Sequence, residues 1–341
     1  MSAENRSEPV RPEDPVSYFL EDMTFHGRSE RTKAAYGRVL EQFETFLEER
    51  GTDLESAGQR ACMTWVHSLR GRHAESTVAT DAAYVHRYYA YMGQVGAFET
   101  NPMALVTEEM DESIDTDPTR REVSIAEMRA FVDGITHPLE RAVVVTLLKT
   151  GMRVGECCNL DLRDVRLEDR EVAEPFGTAR GTLEGRPDSI YVPSEPSRGT
   201  VYNGEKRRAS NKRKRDTVIP VDPELKRTLK AWLAIRPDTE SPALFCSTSQ
   251  WGRRTTPSMV RGIVADHASE RGWTGGDAEE NVTPHYFRHF FTTHLRDRTG
   301  DRGVVKYLRG DVATDVIDTY THSWGDRVRG VYETNIYSLL R

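Results

Sequence analysis

The chain of 341 residues contains no apolar run that approaches the ~18 residues needed for a membrane-spanning helix. The polar residues 1–6 are followed by no apolar stretch, so we expect no signal peptide. Hydrophobic residues make up 37% of the chain and charged residues 30%, as is typical of a globular protein with a polar surface. These features predict a cytoplasmic protein with no membrane partner.

Cysteine is scarce, and the sequence lacks the spacings that mark metal or nucleotide sites. The four cysteines show no C-x-x-C spacing, and we expect buried thiols rather than zinc ligands or disulfides. They are Cys62, Cys157, Cys158 and Cys246. The chain also has no H-E-x-x-H motif and no G-x-x-x-x-G-K phosphate loop. We therefore expect no metal ion, no ATP and no other cofactor.

Positive charge is concentrated in one segment of an acidic chain. The net charge of −7 argues at first against a nucleic-acid partner. However, residues 108–117 carry six acidic residues and no basic one, whereas residues 198–215 carry eight basic residues against Glu205 alone. A local excess of this size attracts a polyanion. The candidate contacts to a phosphate backbone are Lys206, Arg207, Arg208, Arg213, Lys214 and Arg215.

The sequence pattern predicts two domains joined by an acidic linker. Residues 1–14 are polar and contain prolines, which indicates a disordered lead-in. Residues 15–105 show the 3-4 spacing of apolar residues that predicts an all-helical domain. Residues 106–120 form the linker, and residues 121–341 form the second domain.

The second domain combines helices with a small β region. A capping box at Ser124–Glu127 starts its first helix. Short alternating runs within residues 166–221, separated by Gly, Pro and Asn, predict strands, and the chain after Pro223 is again helical. The fold class is therefore mainly α with a small β-sheet or hairpin region: an all-helical domain followed by a mixed α+β domain.

Five chemically distinctive residues follow one another in this second domain. They are Arg153, Lys212, His285, Arg288 and Tyr320. Planar guanidinium groups bind the non-bridging oxygens of a phosphodiester in a bidentate manner and stabilise the charge that grows during attack. A phenol is neutral at pH 7 and becomes a nucleophile when cations or a base help it to lose its proton. The set indicates attack on a phosphodiester by a phenol.

The motifs around these residues resemble those of the tyrosine recombinase (phage integrase) family. The matching pieces are T-G-M-R-V-G-E at 150–156, Lys212 eight residues before Pro220, H-Y-F-R-H at 285–289 and Tyr320-Thr321-His322. The resemblance covers residues 119–325 and, more loosely, the helical region 16–105. The acidic, arginine-rich composition favours an archaeal or haloarchaeal member.

The resemblance implies an enzyme that acts on double-stranded DNA without metal or ATP. The first domain would be the core-binding (SAM-like) domain and the second the catalytic domain. The enzyme would be a site-specific recombinase or integrase that cleaves and rejoins strands through a covalent 3′-phosphotyrosine. It would be a monomer in solution and a homotetramer on DNA.

The resemblance also implies a role for each site residue. Arg153 and Arg288 would bind the scissile phosphate, and Tyr320 would attack it. His285 would act as a general acid and base, and Lys212 would protonate the departing 5′ oxygen. Glu156, His289 and Asp311 are expected to support the site, and Glu156 in particular to orient Arg153.

Alternatives remain for two of these residues. Lys206 and Lys214 lie in the same basic run as Lys212 and are the other candidates for the catalytic lysine. Tyr332 and Tyr337 compete with Tyr320, but they belong to an amphipathic tail and are expected to pack in the interior. That tail would dock either on its own domain or on a neighbouring protomer.

One position departs from the family pattern. The run Leu308-Arg309-Gly310-Asp311 places an acid where the family has a phosphate hydrogen-bond donor. Either Asp311 pairs with Arg309 or Arg153, or it is held protonated, or His289 or His322 supplies the donor. We expect reduced dependence on this position rather than an inactive enzyme. A second departure is the length of the β region, which predicts an insertion near 172–188.

Two rival functions use the same residues. A type IB topoisomerase would relax plasmid DNA as a lone monomer without a specific site. A non-catalytic DNA-binding regulator would form no covalent adduct at Tyr320.

Overall fold

The computed structural model describes residues 14–113, 120–169, 171, 179–275, 280–311 and 324–340, with only the backbone of 324–326. The chain divides into two compact units, Met1–Pro118 and Thr119–Arg341. Several predictions fall outside the described residues. These are the lead-in up to residue 13, residues 114–119 of the acidic linker, part of the expected insertion, Tyr320 and His322.

The described part of the first unit is helical. Its helices are α1 (Pro15–Phe25), α2 (Glu30–Glu48), α3 (Gln59–Leu69), α4 (Glu75–Gln94) and α5 (Ala104–Glu109). Ser29 caps α2 by accepting a hydrogen bond from the Thr32 amide at 3.2 Å. Phe43, Trp65 and Tyr89 pack at the centre of this unit.

The second unit contains eight helices among its described residues. They are α6 (Ile125–Gly134), α7 (Pro138–Thr150), α8 (Val154–Asn159), α9 (Pro223–Leu233), α10 (Pro257–Ser269), α11 (Pro284–Thr299), α12 (Arg302–Arg309) and α13 (Trp324–Asn335). The capping box of Ser124 and Glu127 is present. Helix α7 is the central element, because Val143, Val144 and Leu147 are fully buried among the other helices.

The strands are short, as expected for the β region. They are β1 (Val165–Arg166), β2 (Ser189–Val192), β3 (Val201–Tyr202), β4 (Glu205–Lys206) and β5 (Thr217–Pro220). Strands β1, β2 and β5 form an antiparallel sheet in that order, with Ile190 opposite Ile219. Strands β3 and β4 form a separate hairpin. Its turn is Asn203-Gly204, where both residues have the positive φ that a tight hairpin favours.

The C-terminal tail packs on its own domain. Tyr332 and Tyr337 are buried in the same core as α7, as the sequence predicts. Lys149 of α7 is fully buried and forms ion pairs with Asp222 at 2.8 Å and Glu224 at 2.7 Å. Its ammonium group also donates to the carbonyl oxygen of Tyr337. A single buried cation therefore joins α7, the start of α9 and the tail.

The predicted fold class is confirmed: the protein is mainly α with small sheets. All four cysteines are free and buried, which confirms the prediction for the thiols. Among the described residues, no helix is both long enough and apolar enough to cross a bilayer.

Candidate active site

A sharp turn between α7 and α8 positions Arg153. Gly151 ends α7 in the left-handed conformation, with a φ of 61°. A Cβ atom at this position would lie 2.2 Å from Cδ1 of Phe291, so only glycine fits. Arg153 follows as the residue that caps α8. The T-G-x-R sequence is thus a helix end, a turn and a helix start within a few residues.

Glu156 fixes the position of Arg153 through hydrogen bonds. Its buried carboxylate accepts from the Arg153 amide at 2.9 Å and from Arg153 Nη1 at 3.1 Å. The same carboxylate accepts from Arg213 Nη2 at 3.1 Å. These contacts fix both the backbone and the guanidinium group of Arg153, as an orienting carboxylate must.

Arg288 lies on α11, which begins after the Thr283 cap with a proline in its first turn. The side chain is only 3% exposed, and Nη1 donates to the carbonyl oxygen of Gly151 at 2.7 Å. Burial, with the nearby charges of Arg309 and Arg153, lowers the pKa of Arg288 to about 9. The guanidinium group therefore remains charged at neutral pH.

Arg153 and Arg288 meet at Asp311. Oδ1 of Asp311 accepts from Arg153 Nη2 at 3.1 Å and from Arg288 Nη2 at 2.9 Å. Its other oxygen, Oδ2, lies 2.9 Å from Nε of Arg309. Of the options that the sequence left open for Asp311, pairing with Arg309 and with Arg153 is the one observed. Arg288 is a further partner that the sequence did not indicate.

Two histidines of α11 face each other beside Arg288. Nε2 of His285 and Nε2 of His289 lie 2.9 Å apart, one turn apart on the helix. His285 is exposed, whereas His289 is half-buried. Burial, with the charges of His285 and nearby arginines, lowers the pKa of His289 to about 4. His289 is therefore neutral at pH 7, and one ring nitrogen of the pair donates to the other.

The basic segment alternates between the surface and the interior. Lys206, Arg208, Lys212 and Lys214 are exposed, whereas Arg207 and Arg213 are buried and Arg215 is half-buried. The alternation holds although the segment between β4 and β5 contains bends at 208–209 and 214–215. Arg215 lies over the ring of Tyr307, 4.9 Å from its centroid.

Arg207 and Arg213 require a correction. Arg207 is 1% exposed and donates to both carboxylate oxygens of Asp161, at 2.9 and 3.0 Å. Arg213 is 3% exposed and binds Glu156 and the carbonyl oxygen of Leu308. The expectation that these two residues contact a phosphate backbone does not fit their burial, because their guanidinium groups are already bound inside the protein.

Lys212 approaches the site through its backbone. Its carbonyl oxygen lies 3.4 Å from Arg153 Nη1, and its ammonium group is exposed. Lys214 is also near, since its amide donates to the carbonyl oxygen of Gly310 at 3.1 Å. Lys206 lies on the β3–β4 hairpin. Contact with Arg153 is what distinguishes Lys212 from the other two candidates.

The sequence indicated Arg309 only as a possible partner of Asp311 and not as a residue of the site. Its side chain is half-buried, and Nε lies 2.9 Å from Oδ2 of Asp311. The signal in the sequence was a basic residue two positions before the unexpected acid.

Tyr332 and Tyr337 are not suited to nucleophilic attack. Both are fully buried, and their hydroxyl groups donate to the carbonyl oxygens of Lys149 and Leu148. Burial raises the pKa of both phenols well above the ordinary value. A nucleophile must reach the phosphate and lose its proton, and neither tyrosine meets these requirements.

Comparison with known proteins gives the family. Residues 125–326, more than half of the chain, match the phage integrase family, and residues 16–94 match the N-terminal SAM-like domain of phage integrases. The chain therefore belongs to the phage integrase family, as the motifs indicate. It is a tyrosine recombinase, a DNA strand transferase that performs site-specific recombination. These matches do not favour the topoisomerase or the regulator.

The relatives cover nearly the whole chain. Tyrosine recombinase XerC of Lacticaseibacillus casei (strain BL23) is 24% identical over 320 residues, which cover 90% of this chain and 93% of that protein. Tyrosine recombinase XerC of Herpetosiphon aurantiacus is 26% identical over 322 residues, which cover 92% and 91% of the two chains.

Solved structures share the fold. The Tn1549 transposon integrase in complex with a circular intermediate DNA superposes with a TM-score of 0.63 at 17% identity, over 92% of this chain and 98% of that one. A lambda integrase dimer bound to a COC′ core site gives a TM-score of 0.61 at 12% identity, over 96% and 80%.

Proposed function

We propose that Arg153 and Arg288 bind the scissile phosphate of double-stranded DNA and that Tyr320 attacks it. The phenol oxygen forms a bond to phosphorus, and the bond from phosphorus to the 5′ oxygen breaks. The products are a 3′-phosphotyrosine and a free 5′ hydroxyl. Attack by a 5′ hydroxyl on the phosphotyrosine reverses the step, so no metal or ATP is needed to reseal the strand.

The observation that carries this proposal is the convergence of the two arginines. Their Nη2 atoms donate to a single oxygen, Asp311 Oδ1, from the start of α8 and from the second turn of α11. Two guanidinium groups directed at one point form an electrostatic clamp, which strengthens as charge builds on a phosphate oxygen. The surrounding groups favour an anion. Among the described residues, four guanidinium groups face two carboxylates, a formal excess of two positive charges; they are Arg153, Arg213, Arg288 and Arg309.

His285 and Lys212 are proposed to move the protons. His285 is exposed one turn before Arg288 on the same helix, where an imidazole accepts the phenol proton as the bond to phosphorus forms. Lys212 then protonates the departing 5′ oxygen. The backbone of Lys212 is held at the site, because its carbonyl oxygen accepts from Arg153 Nη1 at 3.4 Å.

The proposed partner is double-stranded DNA, and the active assembly is a homotetramer formed on it from monomers. The Tn1549 and lambda integrases that share this fold were solved with DNA. The exposed Lys206, Arg208, Lys212 and Lys214 provide positive charge for the phosphate backbone. We propose that the protein acts on this substrate in the cytoplasm.

A nicked suicide substrate tests the proposal, because loss of the short 5′ fragment traps the covalent complex. We expect the wild type and Tyr332→Phe to form a DNA adduct, and Tyr320→Phe to form none. Arg288→Ala is expected to slow adduct formation by about 10²–10³-fold, the cost of one oxyanion-stabilising donor. Adduct formation by Tyr320→Phe at the wild-type rate would refute the assignment.

A further inference from the structure

The carboxylate of Asp311 occupies the point at which the two clamp arginines converge. Its Oδ1 accepts from Arg153 and Arg288, while Oδ2 pairs with Arg309 at 2.9 Å. Three guanidinium groups thus lie around one carboxylate: Oδ1 accepts two hydrogen bonds, and Oδ2 has an ion-pair contact to Arg309 Nε without a hydrogen bond. Carboxylates and phosphates are the two anions whose oxygens match the guanidinium fork, so a group that binds one in this geometry also binds the other.

From this geometry we propose that Asp311 is an internal competitor of the scissile phosphate, and that Arg309 is a third phosphate-binding residue beside Arg153 and Arg288. The inference rests on the proposed function, because it takes the two arginines as the phosphate clamp. The phosphate displaces the carboxylate, its non-bridging oxygens take the positions of Oδ1 and Oδ2, and Arg309 transfers its ion pair from Asp311 to the phosphate.

The position of Arg309 supports the second half of the proposal. Arg309 and Asp311 flank Gly310, which ends α12 in the left-handed conformation with a φ of 68°. The carbonyl oxygen of Arg309 accepts from Arg288 Nη1 at 3.2 Å, so its backbone is fixed to the clamp. Its side chain is 29% exposed, and Nε is buried without a hydrogen-bond partner, so a phosphate oxygen would supply the acceptor that this atom lacks.

The charge balance supports the first half. With the Asp311 carboxylate in place, its charge offsets one of the three surrounding guanidinium groups. When the Asp311 carboxylate is removed, the three positively charged guanidinium groups remain close together. Because Arg288 and Arg309 are largely buried, little solvent screens the repulsion among these groups. An anion from solution must then stabilise the folded protein more strongly than it stabilises the wild type.

Inorganic phosphate is the probe, and the midpoint of thermal unfolding is the readout. Phosphate is titrated against chloride at constant ionic strength and neutral pH, for the wild type, Asp311→Asn and Asp311→Asn/Arg309→Ala. Asp297→Asn and Arg296→Ala are the matched controls, because these residues form an exposed ion pair on α11 away from the cluster.

We expect Asp311→Asn to be stabilised by phosphate at a concentration at least tenfold lower than the wild type requires. Adding Arg309→Ala is expected to remove most of that gain, and the two controls are expected to follow the wild type. The proposal is overturned if Asp311→Asn and the wild type respond alike. Its second half is overturned if Arg309→Ala leaves the response of Asp311→Asn unchanged.

A second measurement applies if Asp311→Asn does not fold. With Asp311 intact, Arg309→Ala is expected to slow cleavage of a nicked substrate by tenfold or more at saturating DNA, and Arg309→Lys to restore part of the rate. Arg296→Ala is expected to keep the wild-type rate, and cleavage by Arg309→Ala at that rate would contradict the proposal. The phosphate titration involves neither DNA nor Tyr320, so it decides this inference even if Tyr320 proves not to be the nucleophile.

Discussion

Arg213 and Arg153 both bind the carboxylate of Glu156. Arg213 Nη2 donates to Oε2 of the buried carboxylate at 3.1 Å, while Arg153 Nη1 donates to Oε1 at 3.1 Å. Arg213 also donates to the carbonyl oxygen of Leu308 at the end of α12. One interior guanidinium group therefore ties the segment before β5 to α8, which carries Arg153, and to the segment that carries Asp311.

Arg213→Met is expected to destabilise the protein by about 3–5 kcal/mol, because it leaves the Glu156 carboxylate buried with half of its partners gone. Lys214→Met, at the exposed neighbouring position, is expected to change the free energy of unfolding by less than about 0.5 kcal/mol. Urea unfolding compares the two variants.

The effect of Lys214→Met is expected to appear in DNA binding rather than in stability. Lys214→Met is expected to weaken binding and to lower the slope of log K against log salt by about one. Equal effects of the two substitutions on stability would contradict the alternation of buried and exposed residues along this segment.

Gly310→Ala is expected to destabilise the protein more than Gly300→Ala. Both glycines have a positive φ, 68° and 64°, so an alanine at either position bears a left-handed strain of about 1–2 kcal/mol. At Gly310 the new Cβ would also lie 2.3 Å from Cγ of Arg213, whereas at Gly300 nothing lies within 4 Å. The difference between the two midpoints of thermal unfolding isolates the clash, and equal midpoints would show that the Arg213 side chain does not lie over Gly310.

Acidification is expected to destabilise the wild type more than His289→Gln. The pKa of His289 is about 4 in the folded protein and near the ordinary 6.5 in the unfolded chain. Between these values the unfolded chain binds more protons, so the stability that His289 contributes is complete above pH 6.5 and is lost as the pH falls toward 4.

Urea unfolding of both proteins at pH 7.0, 6.0 and 5.0 tests this expectation. At each pH, the free energy of unfolding of the variant is subtracted from that of the wild type. The carboxylates titrate in both proteins, so this difference isolates the contribution of His289. A constant difference across the three pH values would contradict the lowered pKa.

Lys149→Met is expected to destabilise the second unit by about 3–5 kcal/mol, since it leaves Asp222 and Glu224 without their buried cation. Lys226→Met removes an ion pair with Asp188 that is partly exposed, so a loss of about 1 kcal/mol or less is expected. Chemical unfolding measures both. Limited proteolysis of the Lys149 variant is expected to cleave first in the tail that this cation holds, and a tail as resistant as in the wild type would argue against that role.

The sequence predicted the helical domain, the short strands within residues 166–221 and the family, because periodicity and motif spacing are local patterns. It did not separate Arg207 and Arg213 from their exposed neighbours. In the sequence, all basic residues of this run look alike. Arg207 and Arg213 are buried because each pairs with a buried carboxylate, Asp161 and Glu156 respectively, which lies far away in the sequence. The place of Arg309 depends on the turn at Gly310 and on contacts between distant segments, which no local pattern records.

Mapping the residue that carries the DNA tests the central claim most directly. The covalent complex is trapped on a nicked substrate, digested with protease and nuclease, and the peptide that bears a nucleotide is identified by mass spectrometry. The account predicts one modified residue, Tyr320, joined to a 3′ phosphate. A nucleotide on Tyr332 or Tyr337, a 5′ linkage, or no covalent complex from active protein would contradict it.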